Sequence, residues 1–493
     1  TNIFVQGSTD VAIEEQANAR VRYDNISASG NVGGDHIQYA GRSITSDTTW
    51  DFGGLPVHIQ ADVNLNGAST TLTVVPGSII KFASNRHLAS SDSASNRGKL
   101  VAVGTENEPI IFTSVTDDSV GGDSNADGQA TSPTPGSWAG MYLYNNDTQL
   151  RHTEVRYGGA DGKGGVAINV TTTGTTGTPL SLTDVTIAHS ASEGVEIDAG
   201  SPILTDVHLI ENDGRAILEG GQARARYIDL SASANAGGDH VGYQGRVIGA
   251  DFTWDFGGLT AHILADINLN GASTRLTVIP GSVIKFASNR HLASSSSAND
   301  RGALIAEATE NAPIIFTSIT DDSVGGDSNA DGQATAPSSG DWSGMYLYNQ
   351  DSRLEHVEVR FGGGDLNGGI HVNSVTPGEA GSKIELSEVL LESNAGPGIE
   401  IAAGTPMLQG VSLTNNAGPA IDMFAGARAT FDDIFARGNL GGDKLRLAGQ
   451  TISSDWNWDF AGLPVEVVGN IFVNNALTEL SIVPGTVIKV APN

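Results

Sequence analysis

The chain has no cysteine, so no disulfide framework braces it, and a secreted protein built this way needs another source of rigidity, such as bound metal. Basic residues are scarce: 26 Lys and Arg stand against 56 Asp and Glu, a formal charge of -30 that repels nucleic acid and anionic membranes. Aromatic residues make up only 6% of the sequence while glycine occurs 63 times, which fits many short elements closed by tight turns and argues against long amphipathic helices. No apolar run approaches the roughly 20 residues of a membrane span. Thr1 leads directly into folded-looking text without a charged and apolar leader, so any signal peptide is expected to have been removed.

What the sequence has in abundance is itself. The triplet Trp-Asp-Phe at Trp50 recurs at Trp254 and Trp458, and the run from Asp117 to Thr131 recurs unchanged from Asp321 to Thr335, always 204 residues on. A constant offset means that neither insertion nor deletion separates the copies. With units opening at the Trp-bearing strand, residues 48–251 and 252–455 are complete repeats, 1–47 match the end of a unit and 456–493 match the start of another. That phase predicts a longer array, extended by further repeats of the same chain or by end-to-end self-association.

A shorter period lies inside the long one. Val185 and Ile187 are answered 22 residues later by Val207 and Leu209, and Val389 and Leu391 by Val411 and Leu413. Ser181 to Ile187 alternates polar and apolar residues, as does Gly194 to Ile197, with Gly or Asn between such runs. Short period-2 runs broken by turn formers describe the faces of a parallel β-helix whose coils stack about 4.8 Å apart, so one repeat predicts roughly nine coils and about 45 Å of length. The motif Leu72-Thr73-Val74-Val75-Pro76-Gly77-Ser78-Ile79-Ile80-Lys81-Phe82 returns at Leu276 to Phe286 and, weaker, at Leu480 to Val490. Its Pro-Gly pair presets a type II turn and reads as strand, corner, strand.

Together with Thr49-Trp50, Gly54-Leu55-Pro56, Gly98-Lys99-Leu100, Gly104-Thr105, Pro109 to Ser114 and Gly136 to Met141, this motif resembles bacterial extracellular right-handed parallel β-helix proteins. The resemblance covers nearly the whole chain and implies an all-β, pectate-lyase-like solenoid built from 204-residue tandem repeats with coils of about 22 residues. That family includes adhesins, anchored surface proteins and carbohydrate-active enzymes, so it implies a fold and leaves function open.

The clearest chemical motif is Asp123-Ser124-Asn125-Ala126-Asp127-Gly128, copied as Asp327 to Gly332. Oxygen-bearing side chains at alternate positions, followed by glycine for the sharp turn, reproduce the first half of a calcium loop. Calcium takes about six to eight oxygens, and the bidentate Glu expected at the twelfth loop position is replaced by Thr134 and Ser338. The expected ligands are therefore Asp123, Asn125 and Asp127 with Asp117 or Asp118 and the Gln129 carbonyl, and Asp327, Asn329 and Asp331 with Asp321 or Asp322 and the Gln333 carbonyl. A solvated acidic loop is the alternative.

Other motifs read as structure. Gly33-Gly34-Asp35-His36 recurs at Gly237 to His240 but becomes Gly441-Gly442-Asp443-Lys444, so a required His ligand is not expected and the motif reads as a turn with an exposed tip. A polysaccharide lyase on this fold would use calcium with Arg156 and Arg360, or Arg86 and Arg290, as bases, yet such residues on strand exteriors are expected to ion-pair with nearby acids. Trp50, Trp254, Trp458, Trp138 and Trp342 read as core caps before sugar platforms. The run from Thr171 to Thr176 reads as a flexible loop, since its counterpart, Val375 to Ala380, lacks such a threonine array. The sequence thus predicts a calcium-stiffened structural repeat of an extracellular bacterial surface adhesin, matrix or fibre protein, with surface glycans as candidate partners. A carbohydrate-active enzyme or a non-catalytic glycan-binding module is the alternative.

Overall fold

The computed structural model describes residues 2–16, 19, 21–90, 96–172, 178–294, 300–376 and 382–491. Part of the threonine loop, 173–177, lies outside the described residues. The chain divides into two compact units, one of residues 1–242 with 256–259 and the other of residues 243–255 with 260–493.

Each unit is an all-β parallel solenoid, and among the described residues every ladder between strands is parallel. In the first unit one interior column runs Val57, Ile80, Phe112, Val155, Ile187, Leu209, each in register with the next. A second column on another face runs Val63, Leu88, Met141, Val166, Val195, Ile217. All of these side chains are buried, and each contributes about 1.5–3 kcal/mol relative to exposure. The strand alternation in the sequence decides this: every second residue faces inward, and Val, Ile and Leu occupy those positions. The second unit repeats the scheme, with Ile284, Phe316, Val359, Leu391 and Leu413 in one column.

The 22-residue coil is realised where Val185 pairs with Val207 and Ile187 with Leu209. Elsewhere coils lengthen by loops thrown out between strands. Between strand Ile110–Ser114 and strand Gly140–Asn145 the chain makes such an excursion, so Ala89 pairs with Tyr142, 53 residues on. The Pro-Gly corner forms as the sequence predicts: Gly77 has φ +75° and Gly281 +79°, values that favour glycine.

The tryptophans fill the interior. Trp138 stacks on Phe82 at 4.4 Å between ring centroids, and its Nε1 donates to the Arg156 carbonyl at 2.7 Å. Trp50, Trp254, Trp342 and Trp458 are buried as well, so none of these five rings is available as a sugar platform.

Candidate metal centre

The excursion after Ser114 carries the Asp-x-Asn-x-Asp-Gly motif. Asp123 folds the loop over itself, accepting from the Asp127 backbone N–H at 3.1 Å and from Gly128 at 3.0 Å. Ala126 sits at φ +56° and Gly128 at +74°, so the chain reverses tightly enough to turn alternate side chains towards one point. Asn125 Nδ2 donates to Asp127 Oδ2 at 2.9 Å, and the Thr131 hydroxyl donates to the same oxygen. These bonds leave three side-chain oxygens buried with no hydrogen-bond partner: Asp118 Oδ1, Asn125 Oδ1 and Asp127 Oδ1. The second copy leaves the corresponding three, on Asp322, Asn329 and Asp331.

Carboxylate oxygens of Asp118, Asp123 and Asp127 lie within 4.8 Å of one another, as do those of Asp322, Asp327 and Asp331. Burial raises the pKa of Asp118 from its ordinary value and the neighbouring Asp123 carboxylate raises it further; Asp322 responds in the same way to burial and Asp327. An array made only of oxygens suits a hard cation. The residues thus fit a metal ion, with buried acceptors that no described residue satisfies.

Of the two acidic candidates upstream, the structure brings only the second to the cluster. Asp117 is buried, its carboxylate accepting from Thr113 Oγ1 at 2.7 Å and from the N–H and hydroxyl of Ser119. Asp321 is held identically by Thr317 and Ser323. Gln129 and Gln333 are exposed on the loop.

Sequence reasoning missed what anchors the loop to the solenoid wall. Lys81 is fully buried and donates to the Asp117 carbonyl at 2.8 Å, the Gly122 carbonyl at 3.2 Å and Ser124 Oγ at 2.7 Å. Burial lowers its pKa, against the pull of Asp117, Asp118 and Asp123. His36 donates from Nδ1 to the Ser124 carbonyl at 2.7 Å, and His58 Nε2 meets Ser124 Oγ at 2.8 Å. The two imidazoles stack at 3.6 Å, and burial lowers both pKa values, which favours their neutral forms. His36 is therefore not an exposed turn tip. Only Asp35 behaves as expected of the turn, accepting from Gly30 and Asn31. In the second copy His262 meets Ser328 Oγ at 2.7 Å and buried Lys285 donates to the Gly326 carbonyl at 2.9 Å. In the third, Lys444 pairs with Glu466 at 2.6 Å instead. The hint in the sequence was the strand pattern: Lys81 and His58 face the same way as register partners.

A further cluster, Asp184, Asp206 and His208, arises because the 22-residue coil stacks the first two. Its counterparts in the second copy are Glu388, Gly410 and Ser412, so it is no feature of the repeat. The arginines a lyase would need are engaged: Arg156 pairs with Glu154 and Arg360 with Glu358, while Arg86 and Arg290 lie 3.8 Å and 3.7 Å from Asp62 and Asp266.

No family model and no curated protein matches this chain. Among solved structures it is similar to the Agl-KA catalytic domain, at 9% identity and a TM-score of 0.19, covering 92% of this chain and 62% of that one. It is also similar to the catalytic domain of a GH87 alpha-1,3-glucanase in complex with tetrasaccharides, at 11% identity and a TM-score of 0.16, covering 92% and 64%. The chain spans less than two thirds of either.

Proposed function

We propose that this chain is a structural repeat region of an extracellular bacterial surface adhesin, matrix or fibre protein, stiffened by calcium at the loops of Asp123 and Asp327. The observation that carries the reading is the trio of buried, unpartnered oxygens left in each loop by Asp118, Asn125 and Asp127 and by Asp322, Asn329 and Asp331. Each loop offers carboxylates and an amide oxygen and no nitrogen or sulfur, the donor set of calcium; magnesium demands a tighter octahedron and keeps its waters. Asp123, Asn125, Asp127 and Asp118 would hold the ion in the first loop, and Asp327, Asn329, Asp331 and Asp322 in the second.

The ion would cross-link a long excursion to itself, a role that disulfides play in other secreted proteins. Two copies of one loop on two copies of one wall favour a repeated brace over a catalytic centre, and Arg156 and Arg360 are held in ion pairs with Glu154 and Glu358. Further repeats, or end-to-end association, would extend the solenoid outside the cell.

Elemental analysis of the purified chain is expected to find two calcium ions per molecule. Binding at a free concentration 100-fold above Kd stabilises by about 2.7 kcal/mol per site, so EDTA at low salt is expected to lower the thermal midpoint. Asp127→Ala is expected to remove one of the two ions. An unchanged melt in EDTA together with no metal in the elemental analysis overturns the calcium reading; a calcium-loaded protein that electron microscopy shows as isolated particles in native material overturns the fibre.

A further inference from the structure

On the strands that carry the interior column Val63, Leu88, Met141 and Val166, the alternate residues face outward, where an acidic solenoid would be expected to carry polar side chains. In the first unit part of this face is apolar instead, between the polar Asn64 and Glu196 that flank it in register. Ala89, Tyr142 and Ala167 are register partners on three successive strands, and with Ala139 they form an outer apolar cluster against which Tyr144 packs. Over this floor lies a concavity of about 360 Å³ lined by Asn85, His87, Tyr142, Tyr144, Asp161 and Lys163. The two tyrosine rings are nearly parallel, 9° apart in plane with centroids 6.3 Å apart. Each is fixed: Tyr142 donates its hydroxyl to Asp161 at 2.6 Å, and the Arg97 guanidinium lies 4.3 Å from the Tyr144 centroid.

The chemistry of this lining is specific. Asp161 and Lys163 approach to 4.0 Å and offset each other's charge, in a molecule that is otherwise strongly anionic. Tyr142 is buried in the floor, and the partly exposed Tyr144 ring beside an amide, an imidazole, a carboxylate and an ammonium suits a neutral ligand that is apolar on one side and hydroxylated around its rim. A hexopyranose has that form.

The second unit has the same tyrosines and a different floor. His371 stands where Ala167 does, with its ring 5.7 Å from both Tyr346 and Tyr348 and its Nδ1 3.0 Å from Glu400 Oε1. The tyrosine planes there open to 50°. The imidazole takes the space that alanine leaves free.

We infer that the Tyr142 and Tyr144 hollow of the first repeat is a binding subsite for neutral hexose oligosaccharides, and that His371 closes its counterpart in the second. The inference is independent of the calcium reading and differs from it in stoichiometry: one saccharide site per chain, against two ions.

Titration calorimetry of the full chain with cellohexaose, maltohexaose and laminarihexaose tests it, with saturation-transfer NMR as a second readout on the unaltered protein. One of these sugars is expected to bind at one site per chain. Tyr144→Ala is expected to weaken that binding about tenfold. Ala167→His is expected to abolish it, and since His371 occupies the equivalent place in the second repeat, this variant should remain folded. His371→Ala is expected to leave the first site unchanged and to raise the stoichiometry towards two. No binding of any of the three sugars at about 10 mM by either method overturns the inference. So does binding that survives Ala167→His.

Discussion

In the first copy of the repeat Phe82 stacks on Trp138 with centroids 4.4 Å apart and planes at 11°; in the second, Phe286 stacks on Trp342 with the same distance and angle. One strand away from that identity the copies diverge. Ala167 becomes His371, Asp198 becomes Ala402, Glu193 becomes Pro397, and the pair Asp184 and Asp206 becomes Glu388 and Gly410. Inward positions are constrained on every side by neighbouring coils at crystal-like packing density, whereas an outward position touches at most its register neighbours and the loop above it. The acidic loop is also unchanged between the copies although it lies outside the solenoid wall, where Lys81, His36 and His58 bind it by hydrogen bonds.

Several interior positions exchange one apolar residue for another, as Val57 for Ala261 and Ile187 for Leu391, and one exchange is polar, Ser190 for Asn394. Asn394 Nδ2 donates to Asn416 Oδ1 at 2.9 Å, Asn416 to Asn439 at 2.9 Å, and Asn439 to Asp443 at 2.8 Å, a ladder of buried amides along one corner of the second unit. The first unit has Asn212 donating to Asn235 and Asn235 to Asp239, but its top rung is Ser190, whose hydroxyl is buried without a partner.

Truncating the shared interior is the severest test of equivalence. Trp138→Ala and Trp342→Ala are each expected to cost about 3–5 kcal/mol, from lost burial, the cavity and the orphaned Arg156 or Arg360 carbonyl. Urea denaturation followed by circular dichroism should return the same cost for both, and a difference above about 1 kcal/mol would show that the interiors are not equivalent.

The ladder offers a smaller, reciprocal test. Asn394→Ser is expected to destabilise by about 1–2 kcal/mol, because Asn394 also accepts from the Gly362 N–H at 2.8 Å and donates to the Val359 carbonyl at 3.2 Å. Ser190→Asn is expected to stabilise by up to about 1 kcal/mol. If it destabilises instead, the corner of the first unit is narrower than its copy.

The last test concerns the outer face. Glu196 has its pKa raised from 4.5 to about 7 by burial, then by Asp198 and Glu193. Between those values the folded chain holds the Glu196 proton more tightly than the unfolded chain, so this group's contribution to stability falls as pH rises from about 4.5 to about 7. Glu196→Gln stays neutral throughout. The melting temperature of the variant relative to the unaltered protein is therefore expected to climb across that window and level off above it, and a flat difference would place Glu196 in ordinary solvent.

The sequence by itself determined the solenoid. The alternation in Ser181 to Ile187, the recurrence of Val185 and Ile187 at Val207 and Leu209, and the Pro76-Gly77 corner are local signals, and a β-coil is built from local preferences repeated until neighbours stack. It also determined the acidic loop's inner turn, since Asp123, Asn125, Asp127 and Gly128 act within six residues of one another. Only the tertiary structure decided that Asp118 and not Asp117 completes the cluster, because Thr113 and Ser119 claim the Asp117 carboxylate. It likewise decided that His36 is buried against a serine 88 residues away and that Lys81 threads under the loop. Such contacts depend on where an excursion folds back onto the wall, and that is set by the balance of desolvation against hydrogen bonding in three dimensions, which no spacing along the chain records.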